Sequence, residues 1–330
     1  MNNITADSKL PTANNKILIT GAKGQLGKKI IELMSDQYDL VLTDSDTMDI
    51  TDIEAVEATI AREKPAFVIH GAAYTKVDAA EDEVDLCRKI NALGTKNLAE
   101  VTAKHEIPII YISTDYVFKG RSQDLGLRSE GLGENKFVPY TEEDQTDPQS
   151  IYGLTKFEGE EFVRKLNPDH YILRVAWLFG ELPEGHPGTN FIETMLRLGK
   201  ERNSLSIVND QIGSPTYTKD LVEVLKALVN SRLSVASSSY QLPATNYKLI
   251  EPGTYHFSGS GACSWYDFAK YIFEVAEIKI ELAPITSDQY PQKAKRPTWA
   301  YMSKDKIEKA LEIKVRPWQE MVKEYLDKRA

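Results

Sequence analysis

Cysteine is almost absent. Cys87 and Cys263 are the only two in 330 residues, far apart, with no Cys-x-x-Cys and no cluster of metal-ligating residues around them. That pattern offers neither a disulfide framework nor a metal site, and it reads as two free, buried or half-buried thiols in a reducing compartment. Long apolar runs are missing too: none approaches the ~20 residues a membrane span needs. There is no basic excess. Forty Lys and Arg face 49 Asp and Glu, a formal net charge of −9, so the chain lacks the basic face of a nucleic-acid or anionic-membrane binder. Residues 1–15 are polar and lack the basic-then-apolar layout of a signal peptide; they read as a disordered tail. No internal repeat, low-complexity segment or heptad run is present. The expectation is a cytoplasmic protein of about two domains, with neither nucleic acid nor membrane among its partners.

What is present is an alternation. Residues 16–20 (KILIT) are a short apolar, β-rich run that predicts a buried strand. Gly21-Ala22-Lys23-Gly24-Gln25-Leu26-Gly27 follows and opens an amphipathic helix to about Met34. Glycines between a strand and a helix allow a tight turn and let backbone N–H groups approach a pyrophosphate where the helix dipole favours anions. In that context the turn meets the condition for a dinucleotide fingerprint. Residues 38–43 (YDLVLT) predict a second strand ending at Asp44, ~20 residues beyond the glycines, where an acid can accept from ribose hydroxyls. Asp44-Ser45-Asp46 is also good turn chemistry, and both readings stay open. Thr51 or Asp52 then caps a helix running to about Arg62.

Further strands are predicted over 66–70 (AFVIH), 107–113 (IPIIYIS) and 171–175 (YILRV). The first ends in Ala72-Ala73-Tyr74-Thr75, small residues that let a ligand pass close to the backbone. The second ends in Thr114-Asp115-Tyr116, and Trp177 stands just beyond the third. A helix is predicted over about 83–105. Residues 119–148 form a long stretch without periodicity, a functional or mobile loop.

The order predicts an α/β fold. A Rossmann-type, doubly wound parallel sheet occupies 16–180, and a smaller α/β substrate-binding domain occupies 181–330, with some segments returning to the first. In the second part, strands are predicted over 206–210, 255–258 and 280–283 and helices over 190–200, 218–230, 265–276, 303–311 and 318–326. Residues 231–252, rich in Ser, Asn and Pro, read as a surface connection. Ligands of such sheets bind outside the carboxyl ends of the strands. The glycine turn, Asp44, 73–75, Thr114 and Trp177 all fall there.

One helical stretch fits that edge chemically. Tyr152 and Lys156 lie four residues apart, so a helix places phenol and ammonium on one face. A neighbouring cation lowers a phenol pKa and lets it pass a proton near neutral pH. Tyr152 is thus a candidate acid, and Thr114 stands at the strand edge where a ligand would bind. In isolation Thr114 is also a strand-end hydroxyl bonding its own backbone, and Trp177 a core residue.

Together these motifs resemble the extended short-chain dehydrogenases/reductases and, more narrowly, the dTDP-4-dehydrorhamnose reductases (the RmlD family). The resembling stretches are ITGAKGQLG (19–27), MDITD (48–52), AAYTKVDAAEDE (72–83), STDYVF (113–118), YGLTK (152–156), VAWLFG (175–180), VNDQIGSPT (208–216) and KRP (295–297). The resemblance implies reduction of a 4-keto nucleotide sugar with NADPH or NADH. It implies Gly21, Gly24, Gln25, Leu26 and Gly27 at the cofactor pyrophosphate, and Asp44, Asp49 and Ile50 near its adenosine end. Ala73, Tyr74, Thr75 and Ile112 would line its inner half. Lys156 would hold the nicotinamide ribose and perturb Tyr152. Thr114 would donate to the substrate carbonyl, and Asp115 and Trp177 would touch the sugar. Residues 121–137 look like an insertion. Some family members pair through an acid-rich metal site that includes a glutamate soon after the glycine turn. Lys29 stands at the matching place, so no metal is carried over, and both monomer and homodimer stay open.

Two other functions fit the same fold. A nucleotide-sugar epimerase or dehydratase would recycle a tightly held NAD; dehydratases typically carry Asp-Glu after the threonine, where this chain has Asp115-Tyr116. A non-catalytic regulatory subunit would keep the cofactor fold without needing Thr114, Tyr152 and Lys156 together.

Overall fold

The computed structural model describes residues 15–120, 138–185, 189–236 and 249–329. The tail and the 121–137 insertion read from the sequence therefore lie outside the described residues, residue 15 apart. Among those described, no helix is long and apolar enough to cross a membrane.

Six parallel strands form the central sheet. The first five are β1 (Lys16–Thr20), β2 (Asp39–Thr43), β3 (Phe67–His70), β4 (Ile109–Thr114) and β5 (His170–Val175). The sixth, Gly253–Phe257, pairs in parallel with β5, so the spatial order is that strand, β5, β4, β3, β1, β2. Successive side chains of a strand point to opposite faces. In β1, Ile17 and Ile19 join one buried layer and Leu18 the other; in β4, Ile110 and Ile112 oppose Ile109 and Tyr111. Both faces are therefore apolar, which is why these strands read as continuous hydrophobic runs. Each fully buried Ile or Leu contributes about 1.5–3 kcal/mol.

Helices cover both faces. α1 (Gln25–Met34) buries Ile30 and Met34. α2 (Ile53–Glu63) starts at Asp52, whose carboxylate accepts from the backbone N–H of Glu54 and Ala55. The helix expected over 83–105 is interrupted. Val77–Ala80 (α3) and Val84–Arg88 (α4) are short turns, a π-helical turn spans Lys89–Gly94, and Thr95–Lys104 (α5) resumes the α-helix. The wide turn turns Asn91 inward. Its side chain accepts from Tyr74 N (2.8 Å) and donates to Tyr74 O (3.1 Å) and Thr155 Oγ1 (3.2 Å). π-turns inside helices often occur at functional sites. α6 (Ile151–Leu166) lies against β4 and α5.

The second part departs from expectation in two places. The helix read as 218–230 runs Thr218–Ala236, taking in the start of the segment read as a surface connection; residues 237–248 of that segment lie outside the described residues. The strand expected at 255–258 spans Gly253–Phe257 and completes the main sheet; the sequence predicts segments returning to the first part, but not which ones. Ser204–Val208 and Glu281–Ile285 pair in parallel as a separate two-stranded sheet.

His70, at the end of β3, is fully buried. Thr95 Oγ1 donates to Asn91 O (2.7 Å), so it accepts from His70 Nε2–H (3.0 Å), which leaves His70 Nδ1 to accept from Thr20 Oγ1 (2.7 Å). The ring is neutral in that arrangement. Burial, helped by the charge of Lys156, pulls its pKa down to about 3. The unfolded value is ~6.5, so between the two the folded state binds fewer protons. The stabilisation is whole above ~6.5 and is lost as pH falls toward about 3. Denaturant titrations at pH 7 and pH 5 should differ more for the wild type than for His70→Gln, by up to ~2 kcal/mol. Equal differences in the two proteins would remove His70 as a source of acid lability.

Candidate active site

The glycine turn is built by contact with backbone. Gly21 adopts φ +71°, and a Cβ there would lie 2.9 Å from Ala72 N. Gly24 opens α1 with no side-chain cap and no acidic residue in the first turn, so the first N–H groups and the positive end of the dipole have no built-in anion. These features fit a dinucleotide phosphate. Gln25 instead turns sideways, its Nε2 donating to Gly180 O at 2.8 Å, while Leu26 packs on the core. Asp44 ends β2 with its carboxylate accepting from Lys23 N (3.0 Å) and Ser45 N (2.8 Å), which ties strand end to glycine turn. Lys23 Nζ pairs with Asp46 at 2.5 Å. Asp49 and Ile50 follow, with Asp49 accepting from Thr51 N (2.9 Å) and Ile50 buried. Ala73, Tyr74 and Thr75 follow the end of β3, with the Tyr74 backbone held by Asn91.

Lys29, one turn into α1, is buried, and its ammonium sits between Glu32 (2.5 Å) and Glu181 (2.9 Å). Burial opposes its charge, but the two carboxylates outweigh it and raise its pKa. Among the described residues, no group of three or more His, Cys, Asp or Glu could hold a metal ion.

Thr114, Tyr152 and Lys156 come together at the carboxyl end of β4. Ser150 caps α6 by accepting from Gly153 N (3.1 Å), which sets Tyr152 in the first turn. The Tyr152 phenol lies near the Thr114 hydroxyl, and its ring meets Tyr116 edge-on at 5.4 Å. Lys156 is buried. Its Nζ donates to Ile112 O at 2.7 Å and lies 4.1 Å over the Tyr111 ring.

One expectation needs correction here. The i, i+4 spacing predicts an ammonium that lowers the phenol pKa. Instead burial pushes Tyr152 above the usual tyrosine range, with the neighbouring Thr114 hydroxyl opposing it. Lys156 faces the Ile112 carbonyl, and burial brings its own pKa down to about 7. Sequence spacing fixes the shared face, not where the ammonium points.

Asp115 is also buried. Its Oδ1 accepts from Thr114 Oγ1 (3.0 Å), its Oδ2 has no hydrogen-bond partner, and burial raises its pKa to about 7. It lines a narrow pocket with Tyr116, Trp177, Gln211, Trp265 and Arg296. Trp177 holds φ +47°, a strained value for a bulky residue, and stacks on Trp265 with ring centroids 3.7 Å apart. Sequence reasoning missed Gln211, Trp265, Arg296 and Tyr116. Gln211 and Arg296 lie inside the VNDQIGSPT and KRP stretches, so a signal existed without a role attached. Arg296 is held by a bidentate pair to Asp78 (2.7 and 3.0 Å).

The family model described as "RmlD substrate binding domain" matches residues 15–330. The chain belongs to the RmlD family. As an RmlD-family protein it is 38% identical to a dTDP-4-dehydrorhamnose reductase of Aggregatibacter actinomycetemcomitans, over 93% of this chain and 97% of that protein. The crystal structure of dTDP-4-dehydrorhamnose reductase from Bacillus anthracis in complex with NADP superposes with a TM-score of 0.81 at 36% identity, covering 96% of this chain and all of that one. A UDP-glucose 4-epimerase of Thermotoga maritima shares the fold alone, at 18% identity and a TM-score of 0.72.

Proposed function

We propose that this RmlD-family chain reduces the 4-keto group of dTDP-4-dehydro-6-deoxy-L-mannose to give dTDP-L-rhamnose, with NADPH or NADH. The observation that carries it is the convergence of Thr114, Tyr152 and Lys156 at the end of β4, where Tyr116 donates to Thr114, its ring meets Tyr152 and Lys156 Nζ reaches the Ile112 carbonyl, in a family whose named relatives include dTDP-4-dehydrorhamnose reductases. The bound nicotinamide supplies the hydride. Everything else falls to the chain.

Negative charge grows on a ketone oxygen as its carbon is reduced, and donors aimed at that oxygen stabilise the transition state. Tyr152 Oη and Thr114 Oγ1 are those donors, the threonine turning its one proton from Asp115 Oδ1 to the ketone oxygen, and Tyr152 Oη gives the proton. Burial keeps the phenol protonated near neutral pH, the form an acid needs. Lys156 holds the nicotinamide ribose. Gly21, Gly24, Gln25, Leu26 and Gly27 take the pyrophosphate, Asp44, Asp49 and Ile50 the adenosine end, and Ala73, Tyr74, Thr75 and Ile112 the inner half. Asp115 and Trp177 contact the sugar. The unpaired Oδ2 of Asp115 is suited to a sugar hydroxyl, because a buried lone oxygen gains most from a partner.

A dehydratase would need a carboxylate where Tyr116 stands, so that alternative is not favoured. The two buried free thiols support a reducing, cytoplasmic setting. The test mixes protein, NADPH and the keto sugar. Cofactor absorbance should fall by one equivalent per ketone. No fall with any 4-keto-6-deoxy nucleotide sugar rejects the reductase; tightly bound NAD with turnover needing none added would point to an epimerase.

A further inference from the structure

Behind the candidate site lies a buried carboxylate that the chemistry above does not use. Glu160 is fully buried on α6, one turn beyond Lys156 and two beyond Tyr152. Its Oε1 accepts from Ser113 Oγ (2.5 Å) and Arg174 Nε (2.9 Å); its Oε2 accepts from Arg174 Nη2 (2.8 Å) and Arg164 Nη2 (2.5 Å). Ser113 and Arg174 are each 2% exposed. Ser113 sits between Ile112, whose carbonyl takes Lys156 Nζ, and Thr114. Arg174 belongs to β5, directly paired with Ser113.

We propose that Glu160 is a positioning residue. Its carboxylate bolts the strand carrying Thr114 to the helix carrying Tyr152 and Lys156, and it sets the ammonium's electrostatic surroundings. The proposal rests on the reductase reading for its catalytic consequence. A helix can slide along a sheet when only apolar side chains meet, because dispersion contacts have little direction. Four charge-assisted hydrogen bonds to one carboxylate from two strands and the helix itself leave no such freedom. A buried ion pair of this kind is weak evidence for stability, and its best-attested use is to fix one register.

The charge acts as well. The titratable groups facing Lys156 are Tyr152 and Glu160 on its own helix, Cys87 on α4, Tyr111 on β4 and His70 on β3. Burial leaves His70 neutral and raises Cys87, Tyr111 and Tyr152, so those four are uncharged near neutral pH. Burial also pushes Glu160 up, but the Arg174 guanidinium and its other donors hold it below the usual carboxylate range. Glu160 is therefore the charged member of the set, and it favours the ammonium. Removing it lowers the Lys156 pKa, so the alkaline limb of the rate profile moves to lower pH.

The test compares wild type with Glu160→Gln and Ser113→Ala. Glu160→Gln should cut kcat by roughly tenfold or more, since a displacement of about 1 Å suffices for that, with KM for the keto sugar little changed. Its alkaline limb should fall by at least roughly half a pH unit. Ser113→Ala keeps the charge and loses one bond, so kcat should fall several-fold with the limb unmoved. NADPH affinity, followed by quenching of protein fluorescence, should weaken in Glu160→Gln more at pH 8 than at pH 6. If Glu160→Gln does not fold, Glu160→Gln/Arg174→Gln removes the stranded guanidinium and should still show the kcat loss. A lowered melting temperature with unchanged kcat, KM and pH profiles in the folded variant overturns the proposal. Wild type without turnover defeats the reductase reading instead, and the NADPH titrations still decide the link.

Discussion

Tyr152→Phe should lower kcat by roughly 10²–10⁴, the range for loss of a positioned proton donor. The fold should survive the change. The phenyl ring stays, and with it the edge-on contact to Tyr116. Only the hydroxyl goes, and the neighbouring Thr114 keeps both of its hydrogen bonds: it donates to Asp115 Oδ1 and accepts from Tyr116 N. No buried group is left wholly unpaired, so the stability cost should stay near ~1 kcal/mol. KM and coenzyme affinity should move little, because the lost interaction strengthens only as the oxygen becomes anionic. Thr114→Val should cost less than the tyrosine change, since it removes a donor but not the proton. Single-turnover rates alongside circular dichroism check both. A kcat within threefold of wild type in the folded Phe variant would show that the proton comes from elsewhere, with solvent or Asp115 as the next donors to test.

Much of the fold was legible because its sheet is buried on both faces. Residues 16–20, 66–70 and 107–113 are near-continuous apolar runs, and the strands fall within two residues of them. The positions beyond the strand ends follow from topology, which is why Thr114 and Trp177 could be picked without coordinates. What escaped depends on distant parts of the chain. Gly253–Phe257 joins β5 across about eighty residues, and a Ser- and Pro-rich stretch gives no hint of that return. The split of the 83–105 helix follows from Asn91 reaching Tyr74 and Thr155, contacts that no local pattern encodes. Trp265 meets Trp177 only because the second part folds over the sheet edge. The pKa of Tyr152 moved opposite to expectation for a related reason: spacing fixes a face, whereas burial and the Ile112 carbonyl come from β4.

Gly27→Val should have the second large effect, on coenzyme binding and stability together. A Cβ at Gly27 would stand 2.4 Å from Ala22 O and 2.6 Å from Ala22 Cα. Both are backbone atoms of the turn itself and cannot swing aside, so α1 must move away from β1. That motion spreads the phosphate-facing N–H groups at the start of α1. It also pulls on Gln25–Gly180, Lys28–Leu182 (2.5 Å) and the pair of buried Lys29 with half-buried Glu181, which hold α1 to residues 180–182. Overpacking of this kind costs about 1–3 kcal/mol. Loss of aligned donors should weaken NADPH binding by at least roughly tenfold, or about 1.4 kcal/mol. Gly24→Ala separates the two effects. A Cβ there meets only Gly21 O, at 3.3 Å, so the fold should tolerate it while a methyl group intrudes where the pyrophosphate would lie. The melting temperature should therefore drop in Gly27→Val but not in Gly24→Ala, and the NADPH dissociation constant should rise in both. If Gly24→Ala binds NADPH as tightly as wild type, the pyrophosphate does not lie against this turn, and the anion must be sought at another helix start.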